Sequence, residues 1–251
     1  MGHKAAADTP LARYQAGVAA GAWTDDAAQR LALKQLTRIH EALKHRAEPS
    51  WWQRLWSRTS PAPRGLYLWG GVGRGKTFVM DLFFDGLPTA RKLRLHFHRF
   101  MGRVHAELGA LKDQEDPLAL VAAQFAERAQ VLCFDEFFVS DIADAMLLGR
   151  LLEHLFARGV VLVATSNVRP DLLYRDGLQR ARFLPAIAAI QQHCEVLELA
   201  STQDYRLRAL SQAEVYHTPL GAAAEQALAE AFDRLATAAP DARASLSVNS
   251  R

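Results

Sequence analysis

The stretch GGVGRGKT, residues 70–77, places four glycines within eight positions, between the apolar segments GLYLW (65–69) and FVMDLFF (78–84). Glycine lacks a Cβ atom, so a glycine-rich chain can curl until successive backbone N–H groups converge on one anion. The apolar segment before the glycines is typical of a buried strand, and the segment after them is typical of a helix. This order of strand, G-x4-G-K-T and helix predicts a phosphate-binding P-loop.

The side chains of this loop suit a triphosphate that carries a magnesium ion. Lys76 is expected to reach the β- and γ-phosphates, and the Thr77 hydroxyl is expected to coordinate Mg²⁺. The unpaired N–H groups at the start of the next helix add donors and a favourable dipole. The residues predicted to bind the cofactor are Gly70, Gly71, Val72, Gly73, Arg74, Gly75, Lys76, Thr77 and Phe78.

The segment VLCFDE (131–136) supplies two carboxylates at the end of a predicted strand. Its apolar residues suit a parallel strand covered on both faces, whose carboxyl end delivers Asp135 and Glu136 to the ligand crevice. Adjacent carboxylates in apolar surroundings are unfavourable without a cation. We therefore expect Asp135 to hold Mg²⁺ through water, and Glu136 to polarise the water that attacks the γ-phosphate. This arrangement favours hydrolysis over phosphoryl transfer; the alternative is two carboxylates that merely end a strand at the surface.

Polar residues also end the predicted strand VVLVATSN (160–167), where the strand should again reach the crevice. The amide of Asn167 is expected to hold the attacking water or the γ-phosphate, which adds Asn167 to the candidate catalytic residues. The alternative is an asparagine that begins an ordinary turn before Arg169 and Pro170.

Arginines cluster in the segment YRDGLQRARF (174–183). A guanidinium inserted from a neighbouring subunit would stabilise the charge on the transferring phosphoryl group. Arg182 and Arg180 are preferred over Arg175 as candidate catalytic residues for this role. The alternative is a group of solvated arginines on a helix surface.

The composition of the chain argues against several classes of protein, among them disulfide-rich proteins and zinc proteins. The chain has 251 residues, of which 50% are hydrophobic and 23% charged, as in soluble globular proteins. A formal net charge of +3 does not demand a nucleic-acid or membrane partner. The two cysteines, Cys133 and Cys194, lie in separate apolar runs and indicate neither a disulfide framework nor a zinc site. His96 and His98 share a face of a predicted strand, but no third metal ligand has a recognisable spacing.

Short apolar runs alternate with helical patterns along most of the chain, which is typical of a parallel sheet flanked by helices. The predicted strands are 65–69, 92–98, 131–136, 160–167 and 194–200. An amphipathic helix with Thr24 as its N-cap is expected before the first strand. No signal peptide and no apolar run long enough to cross a bilayer is expected.

The chain closely resembles the ZapE family of AAA+ ATPases, which are bacterial cell-division proteins with mitochondrial relatives. The resemblance spans roughly residue 14 to the C-terminus. It rests on GLYLWGGVGRGKTFVMDLFF, HFHRFMGRVH, LCFDEFFVSDIADAMLLGRLLEHLF, LVATSNVRPDLLY, GLQRARFLPAI and DYRLRAL, in the family's order.

The resemblance implies an AAA+ core with a five-stranded parallel sheet and Mg²⁺-dependent hydrolysis of ATP by an oligomer. It places the family's Walker A residues on Lys76 and Thr77, its Walker B acids on Asp135 and Glu136, and its first sensor on Asn167. The arginine finger is expected within GLQRARF. The implied domains are an N-terminal helical extension (1–60), the ATPase core (61–205) and a partial C-terminal lid (206–251).

The resemblance also implies the biology. It points to a cytoplasmic protein that modulates assembly or stability of the FtsZ division ring, at the division site near the inner membrane. Two other functions stay open: an ATP-dependent nucleic-acid-binding loader, and a nucleotide-gated interaction module without catalysis. Nucleic acid is not the expected partner, because the charge of the chain is nearly balanced.

Overall fold

The computed structural model describes residues 9–46, 62–111, 114–201 and 221–235. The chain divides into two compact units, Met1–Asp204 and Tyr205–Arg251. The described part of the second unit contains a single helix, Ala222–Leu235. The predicted division into residues 1–60, 61–205 and 206–251 stays a prediction.

Five parallel strands form one sheet in the first unit, as the sequence predicts. They are β1 (Gly65–Trp69), β2 (Lys92–His96), β3 (Val131–Asp135), β4 (Val161–Ser166) and β5 (Cys194–Glu198). Their order across the sheet is β2-β3-β4-β1-β5, and each neighbouring pair runs parallel. The strand that leads into the glycine-rich loop therefore lies inside the sheet, and all carboxyl ends meet at one edge.

Helices connect and cover the strands. They are α1 (Pro10–Ala19), α2 (Ala27–His45), α3 (Lys76–Gly86), α4 (Phe97–Ala110), α5 (Pro117–Arg128), α6 (Ile142–Ala157), α7 (Leu184–His193) and, in the second unit, α8 (Ala222–Leu235). Helix α2 begins after Asp26 rather than after Thr24, because the Asp26 carboxylate accepts from the N–H groups of Ala28 and Gln29. In the described part of the chain, no helix is both long enough and apolar enough for a membrane span.

Four of the five predicted strands are shorter than expected, and two of these differences change the place of candidate residues. β2 ends at His96, and His98 lies in α4, so the two histidines do not alternate along one strand; their rings stack with centroids 5.8 Å apart. β3 ends at Asp135, and Glu136 follows it with a φ of 54°. A left-handed residue cannot continue the ladder, so the backbone turns away from the strand direction at Glu136.

The sheet buries a different set of side chains on each face. On one face Phe134 packs among Phe100 of α4 and Phe125 of α5. On the other face Cys133 joins a cluster with residues of α1, α2 and α3, including Tyr14. Because both faces are covered, the edge formed by the carboxyl ends of the strands is where polar side chains gather.

Candidate nucleotide-binding site

The glycine-rich loop connects β1 to α3 without any other structure between them. Gly73 and Gly75 have φ angles of 79° and 86°, in the left-handed region that residues with a Cβ atom seldom adopt. Gly75 is the N-cap of α3, and no side chain caps this helix, so its first N–H groups are available to an anion. The N–H of Gly70 donates to the Ser166 carbonyl oxygen at 3.1 Å, which fixes the start of the loop to the end of β4.

Lys76 points back into the loop that precedes it. Its Nζ atom donates to the carbonyl oxygens of Gly70 and Gly71, both at 2.7 Å, and to Oδ1 of Asn167 at 2.9 Å. Lys76 and Asn167, both predicted from the sequence, therefore share one contact at the sheet edge. A positive charge inside a curl of backbone N–H groups is the arrangement that binds phosphate.

Asp135 ends β3 with a mostly buried carboxylate, whose side chain is 13% exposed. Arg94 of β2 donates to both of its oxygens, from Nε to Oδ2 at 2.7 Å and from Nη2 to Oδ1 at 3.2 Å. Nη1 of Arg94 donates to Oδ1 of Asp81 on α3 at 2.5 Å. Burial lowers the pKa of Arg94, but the hydrogen bonds and charges of Asp135 and Asp81 outweigh burial and raise this pKa overall. The guanidinium is therefore a permanent cation that joins two strands and a helix.

Glu136 lies just past the strand, and its side chain is exposed to solvent. Its backbone N–H donates to Oγ1 of Thr165 at 3.3 Å. The next residue continues this pairing, because the N–H of Phe137 donates to the Thr165 carbonyl oxygen at 2.7 Å. The Ser166 hydroxyl donates to the Phe137 carbonyl oxygen at 2.7 Å. These bonds hold the left-handed turn at Glu136 against the end of β4. Of the two acids, only Glu136 is therefore exposed to solvent at the edge of the sheet.

The donor set at this edge fits a magnesium ion. Thr77 offers an exposed hydroxyl at the start of α3, and Asp135 offers a carboxylate at the end of β3. Both are oxygen donors, which Mg²⁺ prefers, and the ion is commonly bound by one or two protein oxygens together with phosphate oxygens. Within the described residues no cluster of three or more His, Cys, Asp or Glu side chains could hold a metal ion. A magnesium ion here would therefore need ligands from the nucleotide and water.

A cavity of about 480 Å³ adjoins the P-loop. It is lined by Gly71 and Arg74 of the loop and by residues 198–201 at the end of β5. The guanidinium of Arg74 donates to the Ser201 carbonyl oxygen. The predicted binding residue Val72 is 54% exposed at the tip of the loop. Pockets of this size accommodate small organic ligands.

Phe78 is turned away from the loop surface. Its half-buried ring meets the ring of Trp23 edge-on, with centroids 4.9 Å apart, and lies 6.3 Å from the ring of Tyr14. These contacts attach the first turn of α3 to the N-terminal helices. The side chain of Phe78 therefore supports the loop through packing, and any contact from this residue to a nucleotide would come from its backbone.

The two candidate arginines differ in their surroundings. Arg180 is half-buried and donates from Nη2 to the Asp171 carbonyl oxygen at 2.7 Å. Arg182 is exposed, and its side chain makes no hydrogen bond or ion pair with the part of the chain that the structure describes. Neither arginine bonds to the P-loop or to the two acids in that same part of the chain. Of the pair, Arg182 is the one whose guanidinium is presented to solvent.

Sequence reasoning missed Arg94 and Asp81. The signal available was a charged residue in the middle of the apolar alternation of KLRLH (92–96), because a cation inside a sheet normally faces a carboxylate. The sequence also gave no sign that Thr165 holds the backbone at Glu136, although its polar character at a strand end was visible.

Comparison with solved structures supports the fold. A replication initiator DnaA bound to AMPPCP and single-stranded DNA has a TM-score of 0.52 at 13% identity, over 76% of this chain and 52% of that one. Domain III of the Thermotoga maritima replication initiation protein DnaA has a TM-score of 0.50 at 17% identity, over 80% of this chain and 75% of that one. At these identities the likeness shows the fold alone, that of a five-stranded parallel sheet flanked by helices.

Comparison with curated proteins gives nearer relatives. The chain is 52% identical over 225 residues to cell division protein ZapE of Escherichia coli K12, which covers 84% of this chain and 60% of the relative. It is 42% identical over 186 residues to lactation elevated protein 1 homolog B of Danio rerio, over 69% of this chain and 37% of the relative. The chain thus spans about 60% or less of the length of these relatives.

The family model described as AFG1-like ATPase matches residues 8–251, which is nearly the whole sequence. The match includes the glycine-rich loop, the paired acids at the end of β3 and the asparagine after β4. The chain therefore belongs to the AFG1-like ATPase family.

Proposed function

We propose that this protein is a magnesium-dependent ATP hydrolase of the AAA+ class that acts on a protein partner in bacterial cell division. The observation that carries the proposal is the hydrogen bond from Lys76 to Asn167 at the edge of the sheet. Asp135 and Glu136 lie at the same edge, at the end of β3. A phosphate-binding lysine, two acids and an amide at one edge are the parts that hydrolysis of a bound triphosphate requires.

Binding of ATP would begin at the P-loop. The N–H groups of residues 70–77 and the Lys76 ammonium would hold the β- and γ-phosphates. The adjoining cavity of about 480 Å³ offers space for the nucleoside. Thr77 and Asp135 would hold Mg²⁺, which supplies neutralisation of phosphate charge when it is bound.

Hydrolysis would use Glu136 and Asn167. The Glu136 carboxylate is solvent-exposed and forms no ion pair within the described residues, so it is available to accept a hydrogen bond from a water molecule. Asn167 already places its amide oxygen on Lys76, so its NH₂ group is directed to other acceptors, such as the water or the γ-phosphate. We assign Glu136 the role of general base and Asn167 that of an orienting group.

Self-association would complete the site. Arg182 is exposed and free to reach a neighbouring copy, where its guanidinium would stabilise the charge on the transferring phosphoryl group. Arg180 is bound to Asp171 within its own chain, which favours Arg182 for this role. We therefore expect turnover per subunit to rise with protein concentration.

The named relatives support a partner in cell division. The relative that is 52% identical is a cell division protein, and the resemblance stated from the sequence motifs points to the FtsZ ring. We propose FtsZ polymers as the partner and the cytoplasmic face of the division site as the location. This chain spans 60% of the length of that relative, so the partner and the location are proposals.

A second candidate is nucleotide-dependent binding of a single-stranded nucleic acid. It is favoured by one observation: Arg99 and Arg103 lie one turn apart on the exposed side of α4, and neither forms an ion pair within the described residues. Such cations could follow a phosphate backbone. Binding to single strands that weakens steeply with salt would favour this candidate over a protein partner.

The deciding experiment compares wild type with Glu136→Gln in nucleotide binding and in phosphate release. The variant should bind a fluorescent ATP analogue as tightly as wild type and release phosphate at least about a hundredfold more slowly, because a general base contributes about this much or more. Glu127→Gln, an exposed glutamate on α5, is the matched control and should behave as wild type. Sedimentation of FtsZ polymers with ATP or a non-hydrolysable analogue then tests the partner. Equal phosphate release by Glu136→Gln and wild type would refute the catalytic assignment.

A further inference from the structure

The Arg94 guanidinium is hydrogen-bonded to the carboxylate of Asp135, on which the proposed magnesium site depends. It uses two nitrogen atoms on the two oxygens of Asp135 and a third on Asp81, so its donors are divided between β3 and α3. Paired donors to both oxygens of a carboxylate form one of the strongest polar contacts in proteins. Asp135 is therefore held by a cation of this chain.

The position of Arg94 follows from strand register. Arg94 pairs with Cys133, and His96 pairs with Asp135, so the side chains of Arg94 and Asp135 lie on the same face of neighbouring strands. On α3, Asp81 follows Thr77 by four residues, which places both on the same side of the helix. Arg94 thus binds Asp135, which is predicted to hold the metal. It also binds Asp81, which lies one helical turn from Thr77, the other residue predicted to hold the metal.

Charge at this point is less favourable to a second cation than the two carboxylates alone would be. Asp135 and Asp81 each contribute a negative charge, and Arg94 removes one of them. The Arg94 and Asp135 side chains are 19% and 13% exposed, so water screens their charges less than it does at an open surface. A divalent ion that approached Asp135 would face repulsion from a guanidinium and would compete for oxygens that are already hydrogen-bonded.

We infer that Arg94 is the resident counter-ion of Asp135 and makes binding of a divalent cation at this carboxylate depend on a bound triphosphate. The inference rests on the proposed function for the identity of the triphosphate. The phosphates supply the negative charge that offsets Arg94, so the ion enters with the nucleotide and not ahead of it. Arg94 is a positioning residue here, since it acts through the Asp135 carboxylate.

A purely structural role would give a different result. Arg94 also connects the edge strand β2 to β3 and α3, so its loss could loosen the site. Loosening would weaken binding of a cation at Asp135, whereas loss of the opposing charge would strengthen it. The direction of the change in cation affinity therefore separates the two roles.

The experiment measures Mn²⁺ binding to the full chain without nucleotide, from the electron paramagnetic resonance signal of the free ion. Arg94→Met and Arg94→Gln should bind Mn²⁺ at least about tenfold more tightly than wild type. Gln keeps a donor for Asp135 and guards against a folding defect in the Met variant, and circular dichroism checks both. Arg94→Lys keeps the charge and should stay close to wild type. Arg99→Met removes an exposed arginine on α4 and serves as the matched control.

Two results would overturn the inference. One is Mn²⁺ binding by folded Arg94→Gln and Arg94→Met that is no tighter than in wild type. The other is a gain that persists when Asp135→Asn is added, because the ion would then bind elsewhere. Neither result depends on ATP hydrolysis, so a failure here is distinct from a failure of Glu136→Gln to separate binding from turnover.

Discussion

The Nζ atom of Lys76 lies 2.9 Å from Oδ1 of Asn167, although 91 residues separate the two in the chain. The contact joins the first residue of α3 to the residue that follows β4. Because β4 is hydrogen-bonded to β1, the parallel sheet itself brings the two together. The amide of Asn167 therefore contacts the lysine that is proposed to bind phosphate.

Replacing Asn167 by Ala should lower turnover much more than nucleotide affinity. We expect phosphate release to fall about a hundredfold, the usual effect of removing a donor from a developing charge. The dissociation constant for a fluorescent ATP analogue should change by less than about tenfold, since the backbone donors of the loop remain. Phosphate release and analogue titration measure the two effects. Gln191→Ala, an exposed amide on α7, is the control. Equal turnover in Asn167→Ala and wild type would contradict the catalytic role proposed for Asn167.

Replacing Lys76 by Met should abolish nucleotide binding. The ammonium is the cation that bonds within the loop curl, and Met keeps the length of the side chain without the charge. We expect the affinity for ATP to fall at least about a hundredfold, as fits the loss of a charge-assisted contact to phosphate. Isothermal titration calorimetry measures the loss. Lys34→Met on the exposed side of α2 is the matched control, and binding by Lys76→Met at wild-type strength would contradict the P-loop assignment.

A pair of glycine substitutions should change stability in opposite directions. A Cβ atom on Gly65 would lie 1.8 Å from the carbonyl oxygen of Leu162 in the neighbouring strand β4. Since backbone cannot move aside cheaply there, Gly65→Ala should lower the free energy of unfolding by about 3 kcal/mol. Gly102 lies on the exposed side of α4 with no atom within 4 Å of the added Cβ atom. Gly102→Ala should raise the free energy of unfolding by about 1 kcal/mol, from helix propensity.

Urea unfolding of both variants under one set of conditions tests this pair. The two results are independent, because each substitution lies in a different element. Gly65→Ala with wild-type stability would mean that β1 and β4 lie farther apart than the structure shows. Destabilisation by Gly102→Ala would mean that the exposed side of α4 is covered in solution.

The sequence predicts those parts of the site that depend on local spacing. The glycine-rich loop, the strand Gly65–Trp69 and the acids after VLCF each lie within one short segment, so their residue types alone indicate their place. The contacts of Arg94 could not be predicted in this way, because its partners lie 13 and 41 residues away and meet it only through strand register. The alternation of apolar and polar residues continues past His96, so the sequence predicts a strand that includes His98. The helix begins at Phe97 instead, whose ring packs into the core beside Phe134.

The sequence does not predict helix α1, for a related reason. Its sequence, PLARYQAGVA, has few large apolar residues, and its anchor is Tyr14. The Tyr14 hydroxyl accepts from the N–H of Asp26 at 2.8 Å, and its ring packs against Trp23. These partners follow the helix in sequence, so the helical pattern within residues 10–19 is too weak to indicate it.

The buried thiols should make the protein less stable at alkaline pH. Cys133 and Cys194 are fully buried, and burial raises the pKa of both, that of Cys194 to about 12 from the ordinary 9.0. The folded chain therefore holds these protons more tightly than the unfolded chain. Their contribution to stability is complete below pH 9.0 and is lost as pH rises through 9.0 toward about 12.

Urea unfolding at about pH 8 and about pH 10.5 measures the slope, since the free energy of unfolding should fall between them. Replacing both cysteines by Ala should make this slope shallower. It should not abolish it, because burial also raises the pKa of Tyr67, which stays in both proteins. In the native protein at about pH 8, iodoacetamide should leave both thiols unmodified, since a buried thiol is neither exposed nor ionised. Rapid alkylation of the folded protein, or equal slopes with and without the cysteines, would contradict the buried and neutral state assigned to these thiols.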